Sequence, residues 1–186
     1  MSAPVDTDFL RTAIARLRYY KSLGDKAMSG LQEKDFHYKP GEESNSIAVI
    51  IKHLHGNMLS RWKNFLTEDG EKSWRNRDDE FNEDNLPVAE LQRRWEEGWQ
   101  CFLDALSSLQ DSDLGRTVYI RKEPLSVVDA INRQLAHYPY HIGQLVYLSR
   151  MLQGANWTSL SIPRGGSQQY NESAQPKDPA ARFRQP

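Results

Sequence analysis

Two histidines, His137 and His141, are four positions apart in the segment QLAHYPYHIGQL. In an α-helix, residues four apart lie on the same face, about 6 Å from each other along the axis. Neutral imidazole is a common metal ligand, so two rings placed in this way could bind one ion. If the segment is helical, the spacing predicts two ligands of a metal site.

A third histidine that could complete the site is His53, in the segment SIAVIIKHLHGNM. It lies at the edge of an apolar helical stripe, which predicts that it points towards the other helices. Three imidazoles without a fourth protein ligand are typical of a catalytic metal site with open positions. Such a set suits zinc, nickel, iron or manganese. Cys101 is the only cysteine and belongs to no ligand motif, which favours the open site over a closed structural one.

The same spacing also has a simpler interpretation. His137 and His141 could be two hydrogen-bonded rings on a half-buried face, without any metal. His55 is about 200° around the helix from His53, so we expect it to be exposed. His37 lies in a polar loop, where a local hydrogen bond is the natural role. The sequence contains neither His-Glu-x-x-His nor Glu-x-x-His, which counts against a ferritin-like di-iron bundle.

The elements that must position these residues are predicted to be helices. Apolar residues recur every three or four positions in four segments, each bounded by capping or helix-breaking residues. The second and fourth segments carry the histidine candidates. Aromatic residues on the stripes are expected to pack in the core, although they could also line a pocket; they include Trp62, Trp95, Trp99 and Tyr138. The four segments run from about Thr7 to Met28, from Ser46 to Phe65, from Pro87 to Leu106 and from Ser126 to Gly154.

Three features interrupt this helical pattern. The charged segment TEDGEKSWRNRDDEFNEDN has no periodicity, which predicts a long solvated connection between the second and third helices. The segment GRTVYIRKEPLSV alternates apolar and polar residues, which predicts a short strand or hairpin before the last helix. Pro139 removes one backbone hydrogen bond from the fourth helix, so we expect a kink or a wide turn between His137 and His141.

Length and composition limit the class of protein. The chain has 186 residues, which predicts one helical domain over residues 1–154 and an irregular, mobile tail over residues 155–186. Its 24 Lys and Arg against 25 Asp and Glu give a net charge of -1, so no nucleic-acid partner is expected. No segment approaches the roughly 20 apolar residues of a membrane span, and no signal-peptide pattern is present. With a single cysteine, these features predict a cytoplasmic protein.

Two of the predicted helices resemble those of the DinB/YfiT-like proteins, metal-binding four-helix bundles that include thiol-dependent S-transferases. The matching runs are SIAVIIKHLHGNMLSRW and NRQLAHYPYHIGQLVYL, in which the phrase HIGQ is especially characteristic. His53 matches the first ligand position of the family, and His137 and His141 match the second and third. The resemblance extends from about Phe9 to Leu152, and the tail motif SIPRGGSQQYN is similar to that of an uncharacterised branch.

The resemblance implies an all-α fold, namely a four-helix bundle in up-down-down-up order, with one divalent metal ion near one end and frequently a homodimer. The metal implied is zinc or nickel first, and iron or manganese second. A metal site with open positions is compatible with three functions. The first is transfer of a low-molecular-weight thiol to a small-molecule electrophile, the second is metal-dependent hydrolysis, and the third is metal or ligand binding without turnover.

Neighbouring residues bear on this choice. Hydrolysis needs a general base, and no Asp or Glu lies within four residues of His53, His137 or His141. Gln144, one turn after His141, could orient a ligand, and Arg133 could attract an anionic substrate. A core or surface amide and a solvated arginine are the simpler interpretations of these two residues.

Overall fold

The protein is mainly helical, and the computed structural model describes residues 5–184. Antiparallel strands β1 (Thr117–Ile120) and β2 (Glu123–Ser126) form one hairpin. This confirms the all-α class, with a hairpin before the last long helix. Two short helices, Glu33–Phe36 and Ser167–Glu172, were not predicted. The helices are α1 (Val5–Met28), α2 (Glu33–Phe36), α3 (Ile47–Trp62), α4 (Val88–Ser107), α5 (Val127–Gln153) and α6 (Ser167–Glu172).

Side-chain caps begin the two helices that carry the histidine candidates. The hydroxyl of Ser46 accepts a hydrogen bond from the backbone N–H of Val49 at 3.2 Å, at the start of α3. The hydroxyl of Ser126 accepts one from the N–H of Asp129 at 3.1 Å, at the start of α5. Each cap satisfies a backbone donor that has no partner within the helix, and a cap of this kind stabilises a helix by about 1 kcal/mol.

Backbone conformations with positive φ explain where α3 and α5 end. Gly154 follows α5 with φ of 52°, which glycine adopts without a steric penalty. Asn64 has φ of 54° and lies two residues after Trp62, the last residue of α3. The predicted continuation of this helix to Phe65 is therefore wrong. Phe65 is still buried, which is why it continued the apolar pattern in the sequence.

The four long helices share one hydrophobic core. Helix α3 packs on α4 and α5, and α1 packs on α5 and α4. Burying a large apolar side chain completely stabilises the fold by about 1.5–3 kcal/mol. The expected core role of Trp62, Trp95, Trp99 and Tyr138 is confirmed, since all four are buried. Other side chains at the centre of this core are Leu17, Ile51, Leu54, Leu91, Phe102 and Leu145.

The connection between α3 and α4, residues 63–87, is less solvated than predicted. Its single 3₁₀ turn, Asp78–Phe81, packs on α3. The side chains of Arg75 and Glu80 are only 2% and 9% exposed. They can be buried because their opposite charges pair with each other, so the charge density that predicted solvation instead supplies internal partners.

Two further contacts hold this connection in place. The ammonium group of Lys52 on α3 donates hydrogen bonds to the backbone oxygen of Asn82 at 2.6 Å and to the carboxylate of Asp84 at 2.7 Å. The carboxylate of Asp69 accepts from the backbone N–H groups of Arg121 and Lys122 at the hairpin tip, at 2.9 and 2.7 Å. The connection is therefore anchored to α3 at one end and to the hairpin at the other.

The C-terminal segment after α5 contains α6 and a 3₁₀ turn, Ala181–Phe183, that contacts α1. Ala180 is buried at this contact. Residues 1–4 of the predicted helical domain and residues 185–186 of the predicted tail lie outside the described residues. None of the helices in the described part of the chain combines the length and hydropathy needed to span a bilayer.

Candidate metal centre

The three histidines singled out in the sequence lie together in the structure. His53 comes from α3, and His137 and His141 come from α5. The Nε2 atom of His137 lies 3.3 Å from that of His53 and 3.1 Å from that of His141. One nitrogen from each ring lies within 4.8 Å of the other two, so the three histidines could hold a metal ion.

Pro139 does not separate the two histidines of α5. The helix continues without a break from Val127 to Gln153, so the wide turn expected at this proline does not form. The ring centroids of His137 and His141 are 4.8 Å apart, and the planes are inclined by 82°. The spacing of four residues therefore brings both rings together on one face of α5, as the helical periodicity predicted.

Each outer ring nitrogen faces an oxygen acceptor. Nδ1 of His137 lies 3.3 Å from the amide oxygen of Gln134, and Nδ1 of His141 lies 2.8 Å from that of Gln144. Both glutamines are on α5, three residues from their histidine. Since a neutral imidazole carries one N–H, donation from Nδ1 leaves Nε2 with a free lone pair. Gln144 thus orients the ring of His141, and Gln134 orients the ring of His137, a contact that the sequence did not reveal.

The third outer nitrogen belongs to His53, and its acceptor is a buried carboxylate. Nδ1 of His53 lies 3.0 Å from Oε2 of Glu80. Arg75 donates from Nε to Oε1 of Glu80 at 2.7 Å and from Nη2 to Oε2 at 2.9 Å. Sequence spacing could not reveal this pair, because Glu80 lies 27 residues from His53 in a segment without periodicity.

The electrostatics of the cluster favour the neutral form of His137 and His141 and the charged form of Glu80. Burial, together with the neighbouring rings of His141 and His53, lowers the pKa of His137 to about 3. Burial also lowers the pKa of His141. Burial alone would raise the pKa of Glu80, but the hydrogen bonds from His53 and Arg75 outweigh it and hold this pKa below its usual value. Neutral rings are the form that binds a metal.

The donor set fits a divalent transition metal. Three unprotonated Nε2 atoms that face one another would repel, because their lone pairs carry partial negative charge, and a cation between them removes this repulsion. Metal–imidazole bonds are about 2.0–2.1 Å long, so two ligands in tetrahedral positions are about 3.4 Å apart. The observed separations of 3.3 and 3.1 Å are close to this value.

The two other histidines lie outside the cluster. Nε2 of His37 hydrogen-bonds the backbone oxygen of Leu86 at 3.0 Å, so His37 has a hydrogen-bonding role, but its partner is 49 residues away and not local as predicted. Nε2 of His55 lies 2.9 Å from the carboxylate of Glu97 on α4. His55 is half-buried rather than exposed as predicted, because α4 covers this side of α3.

The surroundings of Cys101 and Arg133 do not favour a chemical role for either residue. Cys101 is half-buried against the core, and burial raises the pKa of its thiol, which opposes a role as a thiolate. Arg133 is exposed on α5, in agreement with the simpler interpretation of a solvated arginine.

A cleft of about 370 Å³ lies away from the histidine cluster. It lies between residues 65–69 and the hairpin, and its walls include Phe65, Tyr119 and Lys122. A much smaller cavity shares Phe65 and Tyr119 with this cleft and extends to Gln134, the hydrogen-bond partner of His137. Gln134 thus contacts both the smaller cavity and His137, while the three histidines do not line the cleft.

The structure thus defines a helical protein with a three-histidine cluster in which His53 and His141 are buried and His137 is half-buried. Residues 4–166 match a family described as "Protein of unknown function (DUF1572)", and the chain belongs to that family. No curated protein matches the chain.

Proposed function

We propose that this protein binds one divalent metal ion through His53, His137 and His141. The observation that carries the proposal is the convergence of the three Nε2 atoms, while all three Nδ1 atoms face oxygen acceptors. This arrangement sets the same tautomer in each ring and directs three lone pairs at one point. Two hydrogen-bonded rings without a metal, the simpler interpretation, would not need an outer acceptor on every ring.

We further propose a bundle of DinB/YfiT type, with the long helices in up-down-down-up order. Support comes from the two matching helical runs, from the four long helices around one core and from the hairpin before the last of them. Nitrogen ligands without thiolate suit zinc, nickel, iron and manganese. The proposal places zinc or nickel before iron or manganese because nitrogen sites generally bind zinc and nickel more tightly.

The activity that we propose is transfer of a low-molecular-weight thiol to a small electrophile. When bound, a divalent ion held by His53, His137 and His141 would supply Lewis acidity, which would lower the pKa of a thiol and favour its nucleophilic form. In the transfer, the S–H bond breaks, a bond forms between sulfur and the electrophilic carbon, the leaving group departs with its electron pair and the proton passes to solvent. The outer partners Gln134, Gln144 and Glu80 keep the three rings oriented throughout.

Hydrolysis is the alternative enzyme activity, and the surroundings of Glu80 make it less favourable. A hydrolase needs a general base beside the reacting water. Glu80 is the carboxylate that the fold brings to the cluster, but it already accepts hydrogen bonds from His53 and Arg75. Thiol transfer makes no such demand, since the acidified thiol is itself the nucleophile.

Metal binding is tested by elemental analysis of the purified protein. We expect close to one divalent metal ion per chain in wild type, and loss of metal in the double variant His137→Ala, His141→Ala. His55→Ala is the control, because His55 lies on the same helix as His53 but outside the cluster. Wild type without metal, or a double variant that retains all its metal, would contradict the proposal.

The activity is tested by incubating metal-loaded protein with a model electrophile and a panel of cellular thiols. Turnover that depends on one thiol supports S-transfer, whereas turnover without thiol supports hydrolysis. Metal binding without turnover in either assay would favour the third function, a metal-binding protein that recognises a ligand without catalysis.

We also propose that the protein acts in the cytoplasm as a homodimer. The single cysteine supports the location, and the resemblance to DinB/YfiT-like proteins supports the dimer. Light scattering coupled to gel filtration tests the dimer, for which we expect twice the 21.5 kDa of one chain.

A further inference from the structure

The carboxylate of Glu80 links the candidate metal site to the connection between α3 and α4. Its Oε2 atom lies 3.0 Å from Nδ1 of His53 and 2.9 Å from Nη2 of Arg75, and its Oε1 atom lies 2.7 Å from Nε of Arg75. The exposed fraction is 7% for the side chain of His53, 9% for Glu80 and 2% for Arg75. The row Arg75, Glu80, His53 is therefore buried, and the carboxylate of Glu80 lies between a guanidinium group and an imidazole ring.

The backbone of α3 is shaped to receive this carboxylate. Gly56 lies three residues after His53, and a Cβ atom at this position would be 2.8 Å from the carboxylate carbon of Glu80. Such a contact is shorter than side chains tolerate, and the two hydrogen-bond partners of Glu80 prevent it from moving aside. The absence of a side chain at Gly56 thus lets Glu80 approach the helix and reach the ring of His53.

The ring of His53 is also held on another side. The ring of Phe81, which follows Glu80 in the 3₁₀ turn, lies 5.0 Å from that of His53. Lys52, next to His53, holds this 3₁₀ turn in place through its hydrogen bonds to Asn82 and Asp84, which follow the turn. One short segment therefore supplies both the acceptor and a packing surface for a single ligand ring.

We propose that Glu80, held by Arg75, is a positioning residue that fixes the tautomer and orientation of His53 and so strengthens metal binding. This inference rests on the proposed metal binding. A carboxylate that accepts from Nδ1 keeps the proton on that atom, leaves Nε2 free for the metal and makes the ring a stronger donor. Because both of its oxygens are occupied by Arg75 and His53, Glu80 is a partner of a ligand and not itself a ligand.

The chain offers a matched control for this role. His55 is on the same helix as His53, two residues further along, but lies outside the cluster. Its ring donates to the carboxylate of Glu97 at 2.9 Å. Glu80→Gln and Glu97→Gln therefore each remove one negative charge from one His–carboxylate pair. Only the first pair includes a proposed ligand.

The test measures Zn²⁺ affinity by competition with a chelator, together with the visible absorption spectrum of the Co²⁺-loaded protein. We expect Glu80→Gln to weaken Zn²⁺ binding by a factor on the order of 10–100 and to shift the Co²⁺ bands, because the ligand field of His53 changes. We expect Glu97→Gln to leave both unchanged. Arg75→Lys, which keeps the charge but loses the two-pronged contact, should give an intermediate affinity.

Two outcomes separate failure of this inference from failure of the proposed function. If wild type binds Zn²⁺ and Glu80→Gln matches Glu97→Gln in affinity and spectrum, the inference is overturned while the proposed metal site stands. If wild type binds no Zn²⁺, both are overturned. Should Glu80→Gln fail to fold, imidazole NMR of Zn²⁺-loaded wild type decides: a proton on Nδ1 of His53 supports the inference, and a proton on Nε2 overturns it.

Discussion

At the scale of single residues, the protonation of His137 links the cluster to the stability of the metal-free protein. Its pKa is about 3, whereas an imidazole in an unfolded chain has a pKa near 6.5. Between these two values the unfolded chain binds more protons than the folded chain. The free energy of unfolding must therefore fall as the pH decreases from 6.5 towards 3, and this group has no effect above pH 6.5.

This argument predicts the acid sensitivity of the metal-free protein. We expect urea unfolding to show a free energy that falls between pH 6.5 and 4.5, by at most about 1.4 kcal/mol per pH unit from His137. In His137→Gln the slope should be smaller, since the titrating group is gone while a polar side chain of similar length remains. Equal slopes in the two proteins would show that His137 is not the group responsible.

Residue by residue, the site divides into a part that the sequence revealed and a part that it did not. His137 and His141 are on one helix, so their spacing of four residues was enough to predict that their rings meet. His53 was assigned to the same cluster because it lies beside an apolar stripe. Glu80 comes from a segment without periodicity, and its partnership with His53 depends on how that segment folds back over α3. Local patterns carry no information on such a long-range contact.

At the scale of elements, the sequence predicted the four long helices because capping residues and apolar periodicity agree at their ends. Ser46 and Ser126 show this agreement, since each accepts the expected backbone hydrogen bond. The prediction failed where charge was taken as a sign of solvation. Arg75 and Glu80 are buried because they neutralise each other, and a count of charged residues cannot distinguish a paired charge from a solvated one.

Pro139 permits a test at the scale of one helix. It lies inside α5, where proline removes a hydrogen bond and crowds the preceding turn. We therefore expect Pro139→Ala to raise the free energy of unfolding by about 1–3 kcal/mol in chemical denaturation. Because both ligand rings already lie on one face of an unbroken helix, Zn²⁺ affinity should not change.

The opposite result would assign a different role to this proline. If Pro139→Ala lowers Zn²⁺ affinity while it stabilises the helix, the proline adjusts the relative orientation of His137 and His141, and a regular helix would not hold the rings as well.

At the scale of the whole molecule, the histidine cluster joins two pairs of helices. Helix α3 packs most extensively on α4, and α1 packs most extensively on α5, whereas the contact between α3 and α5 is smaller. His53 belongs to the first pair, and His137 and His141 belong to the second. An ion held by all three would therefore cross-link the two pairs where their direct contact is limited.

This arrangement predicts that metal binding stabilises the whole fold. At a free Zn²⁺ concentration about 100 times the dissociation constant, the free energy of unfolding should rise by about 2.7 kcal/mol. For a domain of this size that corresponds to an increase in Tm of roughly 5–10 °C in a thermal scan, which a chelator should reverse. The double variant His137→Ala, His141→Ala should show no increase. An equal increase in that variant would mean that Zn²⁺ binds elsewhere, and that the helix pairs are held together by packing alone.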